Sequence, residues 1–148
     1  MSAPADAFSL LLTVEPADID ALGHASNIVY LRWVQQVAAA HWLAVAPPAD
    51  QASLAWVVLR HEIDYRSPAL LADELRLRTW VGQVEGLLFE RHTEIERAGD
   101  GRLLARACSR WCPISARTGR PQRVKPELRA RFSVGQGDRV DRPPASDA

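Results

Sequence analysis

Hydrophobic and polar positions change period along the chain, and the changes mark out its elements. From Phe8 to Glu15 the stretch FSLLLTVE is apolar with a β-branched share and ends at Pro16, which predicts a first strand. Pro16 to Ser26 (PADIDALGHAS) is polar and turn-rich, and Ser26 or Asn27 offers a side-chain oxygen to cap a helix. The helix is IVYLRWVQQVAAAHWL, Ile28 to Leu43. Tyr30, Trp33, Val34, Val37 and Ala38 recur at helical steps, while Ile28, Val29, Leu31, Ala39, Ala40 and Trp42 widen the stripe. Polar residues are confined to Arg32, Gln35, Gln36 and His41, so most of the circumference calls for cover. At ~1.5 Å per residue the helix is about 24 Å long, the length of a seven-residue strand. A sheet wrapped around it would bury it.

Ala44 to Ser53, with Pro47 and Pro48, predicts a loop. The period then becomes two. Leu54 to Ser67, Asp73 to Val81, Gly86 to Arg97 and Arg102 to Ile114 read as strands, the last two joined by the hairpin signal Ala98-Gly99-Asp100-Gly101. In the second of these, Leu75, Leu77, Thr79 and Val81 share a face opposite Arg76, Arg78 and Trp80. One strand, one helix and four strands with short turns imply an α+β fold with a mainly antiparallel sheet. The basic stretch Arg117 to Arg131 contains a turn at Thr118 to Pro121 and a short helix at Pro126 to Phe132. Residues 1–134 form the expected domain, and 135–148, polar and proline-rich without apolar periodicity, predict a disordered tail.

Composition narrows the function classes. The 148 residues are about one domain's worth, with 18 Lys+Arg against 18 Asp+Glu and no net charge. No global field draws the chain to nucleic acid, and no uncharged run approaches the ~18 residues of a membrane span. The N-terminus lacks a basic region before an apolar run, so a cytoplasmic location is expected. Cys108 and Cys112, four apart in a strand, would sit roughly 13 Å from each other, too far for a disulfide. Neither has a His at metal-ligand spacing, and His24, His41, His61 and His92 are scattered, so no metal site is expected.

The chemistry concentrates in DIDALGHASNIVYLRW, Asp18 to Trp33. A carboxylate just ahead of a capped helix lies beside free backbone N–H groups, which can polarise a carbonyl while the carboxylate attacks it or activates water. Turn and capping duty is the commoner fate of aspartates in such a loop, and residue chemistry leaves both readings open.

The motif Asp-x-Asp-x-x-Gly-His, Asp18 to His24, followed by Asn27, Tyr30, Leu31 and Trp33, resembles the hallmark of hotdog-fold acyl-CoA thioesterases of the 4-hydroxybenzoyl-CoA thioesterase type. RHEIDYRSPALLADEL, TEIER and WCPISARTGRP extend the resemblance over Phe8 to Phe132. It implies a curved antiparallel sheet around one central helix, and dimers joined sheet edge to sheet edge with active sites at the interface. Asp20 would be the catalytic carboxylate, Asn27 would supply the N–H that binds the thioester oxygen, and Gly23 would give the chain room to turn. His24 takes the family's histidine position, and Tyr30 a core or pocket-wall position. Ala25 and Ser26 depart from the more familiar valine and asparagine, which bears on fine positioning. The helix carries no acidic residue, so the glutamate used by a second hotdog lineage is missing and Asp20 is favoured.

A thioester needs little machinery, because its thiolate leaves readily, and no GxSxG elbow is present. No cofactor is expected beyond coenzyme A as part of the substrate. Its phosphates suit arginine, with Arg66 and the run containing Arg117 and Arg120 as candidates. The expected unit is a homodimer or homotetramer acting on a small acyl-CoA. Alternatives are a hotdog hydratase or dehydratase, for which His61 next to Glu62 is a weak pair because strand neighbours face opposite sides, and a non-catalytic acyl-CoA-binding module.

Overall fold

The computed structural model describes residues 2–132, so the tail expected at 135–148 lies outside the described residues. The elements are β1 (Phe8–Thr13), α1 (Asn27–Val45), α2 (Pro48–Ser53), β2 (Leu54–Tyr65), β3 (Glu74–Glu85), β4 (Leu88–Arg97), β5 (Leu103–Ser115) and α3 (Pro126–Phe132). Five strands form one antiparallel sheet in the order β1-β3-β4-β5-β2. Short turns make β3, β4 and β5 a meander, while the long α1 connection carries the chain from β1 at one edge to β2 at the other. This is the α+β hotdog arrangement.

Strand alternation aims one face at α1. Leu75, Leu77, Thr79 and Val81 are all buried, and the register sets Ile95, Thr93 and Arg91 beside Leu77, Thr79 and Val81, then Ala105, Ala107 and Ser109 beyond them. Tyr30, Trp33, Val34 and Val37 of α1 join the same core as Leu75, Leu77, Ile95, Ala105 and Ala107. The β3 alternation of burial ends at Trp80, which is buried on the opposite face and stacked on His92 with ring centroids 5.4 Å apart. Beyond a register shift between Val81 and Val84 the strand runs on to Glu85.

Two expectations are corrected. Most of the α1 circumference was expected to be covered, yet Ile28 is 77% and Leu43 61% exposed, because the sheet packs on one side of the helix. The loop expected from Ala44 to Ser53 ends in α2, with Pro48 in its first turn, where a fixed φ and a missing N–H suit a helix start.

One buried polar group in this core has a measurable consequence. His41 stacks on Phe8 with ring centroids 5.0 Å apart, and its Nδ1 accepts a hydrogen bond from Arg91 at 3.1 Å. Burial first, and the Arg91 charge second, pull its pKa from 6.5 down to about 3. The unfolded chain therefore takes up this proton first as the medium is acidified. His41 contributes fully to stability above pH 6.5, and the contribution is lost as the pH falls from there toward 3. In urea melts across this window, His41→Phe is expected to flatten the slope of stability against pH by up to about 1 kcal/mol per unit. An unchanged slope would show that another group carries the acid sensitivity.

Candidate active site

The segment between β1 and α1 is held by its own polar groups. A 3-10 turn spans Pro16–Asp18, and Asp18 Oδ2 accepts the Glu15 N–H at 2.9 Å. Asp18 Oδ1 pairs with Arg32 of α1, and its carbonyl accepts the Ser26 N–H at 2.9 Å. Asp18 is buried, so the motif's first aspartate pins the loop to the helix. Ile19 and Ala25 then bridge as a miniature hairpin, closed by Asp20 N–H to His24 O at 2.8 Å and Gly23 N–H to Asp20 O at 3.0 Å. Gly23 has φ +81°, the left-handed region in which glycine meets no Cβ penalty.

At this hairpin Asp20 is exposed, and its Oδ1 accepts the Leu22 N–H at 2.9 Å. That bond uses one lone pair and leaves the rest of the carboxylate open to solvent. Ser26, of the two candidates, caps α1, its Oγ receiving the Ile28 N–H at 3.4 Å. Asn27 is the first helical residue, and among the described residues its N–H has no hydrogen-bond partner. The open carboxylate and the open N–H thus stand on the two sides of a short turn.

The segment after β2 builds the opposite wall. Ala25 N–H donates to Ala69 O at 2.9 Å, Ala69 N–H donates to the Tyr30 hydroxyl at 2.9 Å, and the Tyr65 hydroxyl donates to Asn27 O at 3.1 Å. Burial raises the Tyr30 pKa, keeping the phenol neutral. A cavity of about 210 Å³ results, lined by His24, Ala25, Asn27, Tyr30, Tyr65, Arg66, Ser67 and Pro68. It gathers His24, Asn27, Tyr30 and Arg66 from the expected set, with Asp20 and Gly23 in the hairpin beside it. Tyr65 is a further site residue, signalled in the sequence as an aromatic in step with His61 and Ile63 along β2.

Arg117 and Arg120 are not brought to this cavity within the chain. They lie in the turn after β5, where Ser115 pairs with Leu54 at the start of β2, whereas Arg66 follows its end. At ~3.3 Å per residue, the length of β2 separates the two places by roughly 36 Å. The hydratase pair divides as well: His61 bonds Ser109 Oγ at 2.7 Å, and Glu62 bonds Arg60 at 2.6 Å.

Cross-strand register also revises the expectation for the cysteines. Cys108 lies opposite His92, and Glu90, His92 and Cys108 bring ligand atoms within 4.8 Å of one another. Gly82 makes the room, since a Cβ there would lie 2.7 Å from His92 Nε2. Spacing along the chain could not show this cluster. Glu90 and His92 bond each other at 3.1 Å, and both cysteines are free thiols.

Sequence and structure comparisons agree on this frame. The model of the thioesterase-like superfamily matches residues 14–132. A thioesterase-superfamily protein from Jannaschia sp. CCS1 superposes with a TM-score of 0.82 at 19% identity, over 89% of this chain and 94% of that one. The dynemicin thioesterase, seen in a study of polyene binding, gives 0.77 at 22% identity over 86% and 95%. A 1,4-dihydroxy-2-naphthoyl-CoA thioesterase from Synechocystis gives 0.72 at 19% identity over 84% and 94%. No curated protein matches the sequence. With the family model spanning the Asp20 hairpin, α1 and strands β2 to β5, the chain belongs to the thioesterase-like superfamily.

Proposed function

We propose that this hydrolase of thioesters cleaves acyl-CoA, with Asp20 as the reacting carboxylate and the Asn27 N–H as the donor to the thioester oxygen. One observation carries the reading: an exposed carboxylate and an unpartnered helix N-terminal N–H flank a single tight turn. In the carbonyl-addition step, negative charge grows on the thioester oxygen, where the Asn27 N–H and the positive end of α1 oppose it. Asp20 either adds to the carbonyl carbon as an anhydride or takes the proton of an attacking water. In both routes the C–S bond breaks, coenzyme A leaves as thiolate, and water supplies the oxygen and the proton that complete the products. Arg66, exposed at the rim of the small cavity, is suited to a phosphate of coenzyme A.

The unit is a dimer. β2 is an edge strand of twelve residues carrying exposed Val57 and Leu59, which suits pairing with the same strand of a second copy. Such a pairing would complete a site that the single chain leaves open to solvent.

Incubating the purified full-length protein with short-, medium-, long-chain and aromatic acyl-CoAs, and measuring free thiol, tests the activity. Release of thiol from at least one class, at a rate dependent on enzyme concentration, is expected. Binding without turnover across the panel would instead favour an acyl-CoA-binding module.

A further inference from the structure

The sheet face turned away from α1 carries the cluster of Glu90, His92 and Cys108. Burial alternates along β4, so Phe89, Arg91 and Thr93 point to the core while Glu90 and His92 share the other face. Antiparallel pairing sets Cys108 of β5 directly opposite His92, with Ala107 and Ser109 on the core side. Two strands thus supply three different donors, a carboxylate, an imidazole and a thiol, whose ligand atoms lie within 4.8 Å of one another. Donors around a tetrahedral zinc ion are roughly 3.4–3.6 Å apart, given Zn–S of ~2.3 Å and Zn–N and Zn–O of ~2.0–2.2 Å. Closing on an ion therefore takes side-chain adjustments of about an ångström, with the strands left in place.

The neighbouring strand leaves the cluster clear. A Cβ at Gly82 would lie 2.7 Å from His92 Nε2 and 2.9 Å from Glu90 Oε1, so these two donor atoms occupy space that a side chain on β3 would contest. Trp80, two residues earlier, stacks on the His92 ring at 5.4 Å and 26°, which holds the imidazole plane. Glu90 and His92 are 26% and 17% exposed, open enough for an ion to enter and sheltered enough to strengthen its attraction. The Glu90 carboxylate already gathers both neighbours. It accepts a hydrogen bond from His92 Nε2 at 3.1 Å and another from the Cys108 thiol. Glu62, opposite Cys108 on β2, adds a negative charge, and Arg110, opposite Glu90 on β5, a positive one.

Donor type selects the ion. Magnesium and calcium take oxygen donors, whereas sulfur, nitrogen and oxygen from three residues suit zinc, with the fourth position left to water. We propose that Glu90, His92 and Cys108 bind one zinc ion, which clips β4 to β5 on the face of the sheet opposite α1. On binding, a Zn–S bond replaces the thiol S–H and the proton passes to solvent, while the imidazole coordinates through Nε2 and carries its proton on Nδ1. None of the three residues lines the cavity beside the Asp20 hairpin, so the site is independent of the thioesterase reading.

The test titrates tag-free, full-length protein, freed of metal by dialysis against a chelator, with Zn²⁺ in a calorimeter. One ion per chain with a Kd of about 1 μM or tighter is expected, together with a higher melting temperature in Zn²⁺. Co²⁺ in place of Zn²⁺ should give a thiolate-to-metal charge-transfer absorption and the intense visible bands of a tetrahedral ion. Cys108→Ser and His92→Phe, the latter keeping a ring on Trp80, should each weaken Zn²⁺ binding by about 100-fold, the upper end of what losing even an outer-shell partner costs. Should either fail to fold, Glu90→Gln, which keeps size and shape, takes its place with a loss of the same sign. Gly82→Ala should weaken binding with all three ligands present, and Cys112→Ser should leave it unchanged. Weaker binding by the native protein, cobalt spectra without the thiolate band, or an affinity that survives the ligand substitutions would overturn the site.

Discussion

Asp20→Asn is expected to lower kcat for thioester hydrolysis by about 10²–10⁴ while leaving the melting temperature close to that of the native protein. The two effects separate because the carboxylate has two duties of different chemistry. Its local duty is to accept the Leu22 N–H, and an asparagine Oδ1 accepts that bond equally well and is as much at home in the turn. Its proposed chemical duty, adding to a carbonyl or taking a proton, requires the negative charge that asparagine lacks. Measuring kcat beside a thermal melt therefore discriminates the two fates of this residue. Retained turnover in Asp20→Asn would make Asp20 a turn residue and remove it from the mechanism.

Asn27→Pro is the complementary experiment on the donor, with an expected loss of about 10²–10³ in kcat. Proline normally breaks a helix, but Asn27 is the first residue of α1, its N–H bonds no group among the described residues, and proline's φ suits that position. The preceding Ser26, at φ −63° and ψ 144°, already has the extended conformation that a following proline requires. The substitution thus deletes one N–H at little cost to the helix. Asn27→Ala keeps the N–H and loses the side-chain amide, so it should retain most of the turnover. If alanine and proline impair the reaction equally, the side chain rather than the backbone is what matters. If proline leaves kcat intact, the oxyanion is held elsewhere.

Much of this site was legible in the order of residues. The hairpin of Asp20, Gly23 and His24 and the helix start at Asn27 are local, formed by groups within a few positions of one another. Asp18 shows the limit of such reading: its burial and its pair with Arg32 depend on how the 3-10 turn is laid against α1, which spacing alone did not show. The arginines show it again. Arg66 and Arg117 look equally apt for phosphate as residues, yet antiparallel pairing of β2 with β5 sends the turn after β5 to the far end from Arg66.

The same division runs through the whole molecule. Helix, strands, caps and turns follow from the period of apolar positions and from the chemistry of near neighbours, so the chain's order was enough for the α+β architecture and for the turn between β1 and α1 that carries Asp20. Contacts between strands far apart in sequence depend on register, and a shift of one residue turns a side chain to the opposite face. Register set His92 against Cys108, placed Arg91 beside Val81 and Ser109, and left Tyr65 over the start of α1. Those pairings, together with packing on one side of α1, produced the cluster of Glu90, His92 and Cys108 on one face of the sheet and the buried Arg91 on the other, which no local pattern in the chain encodes.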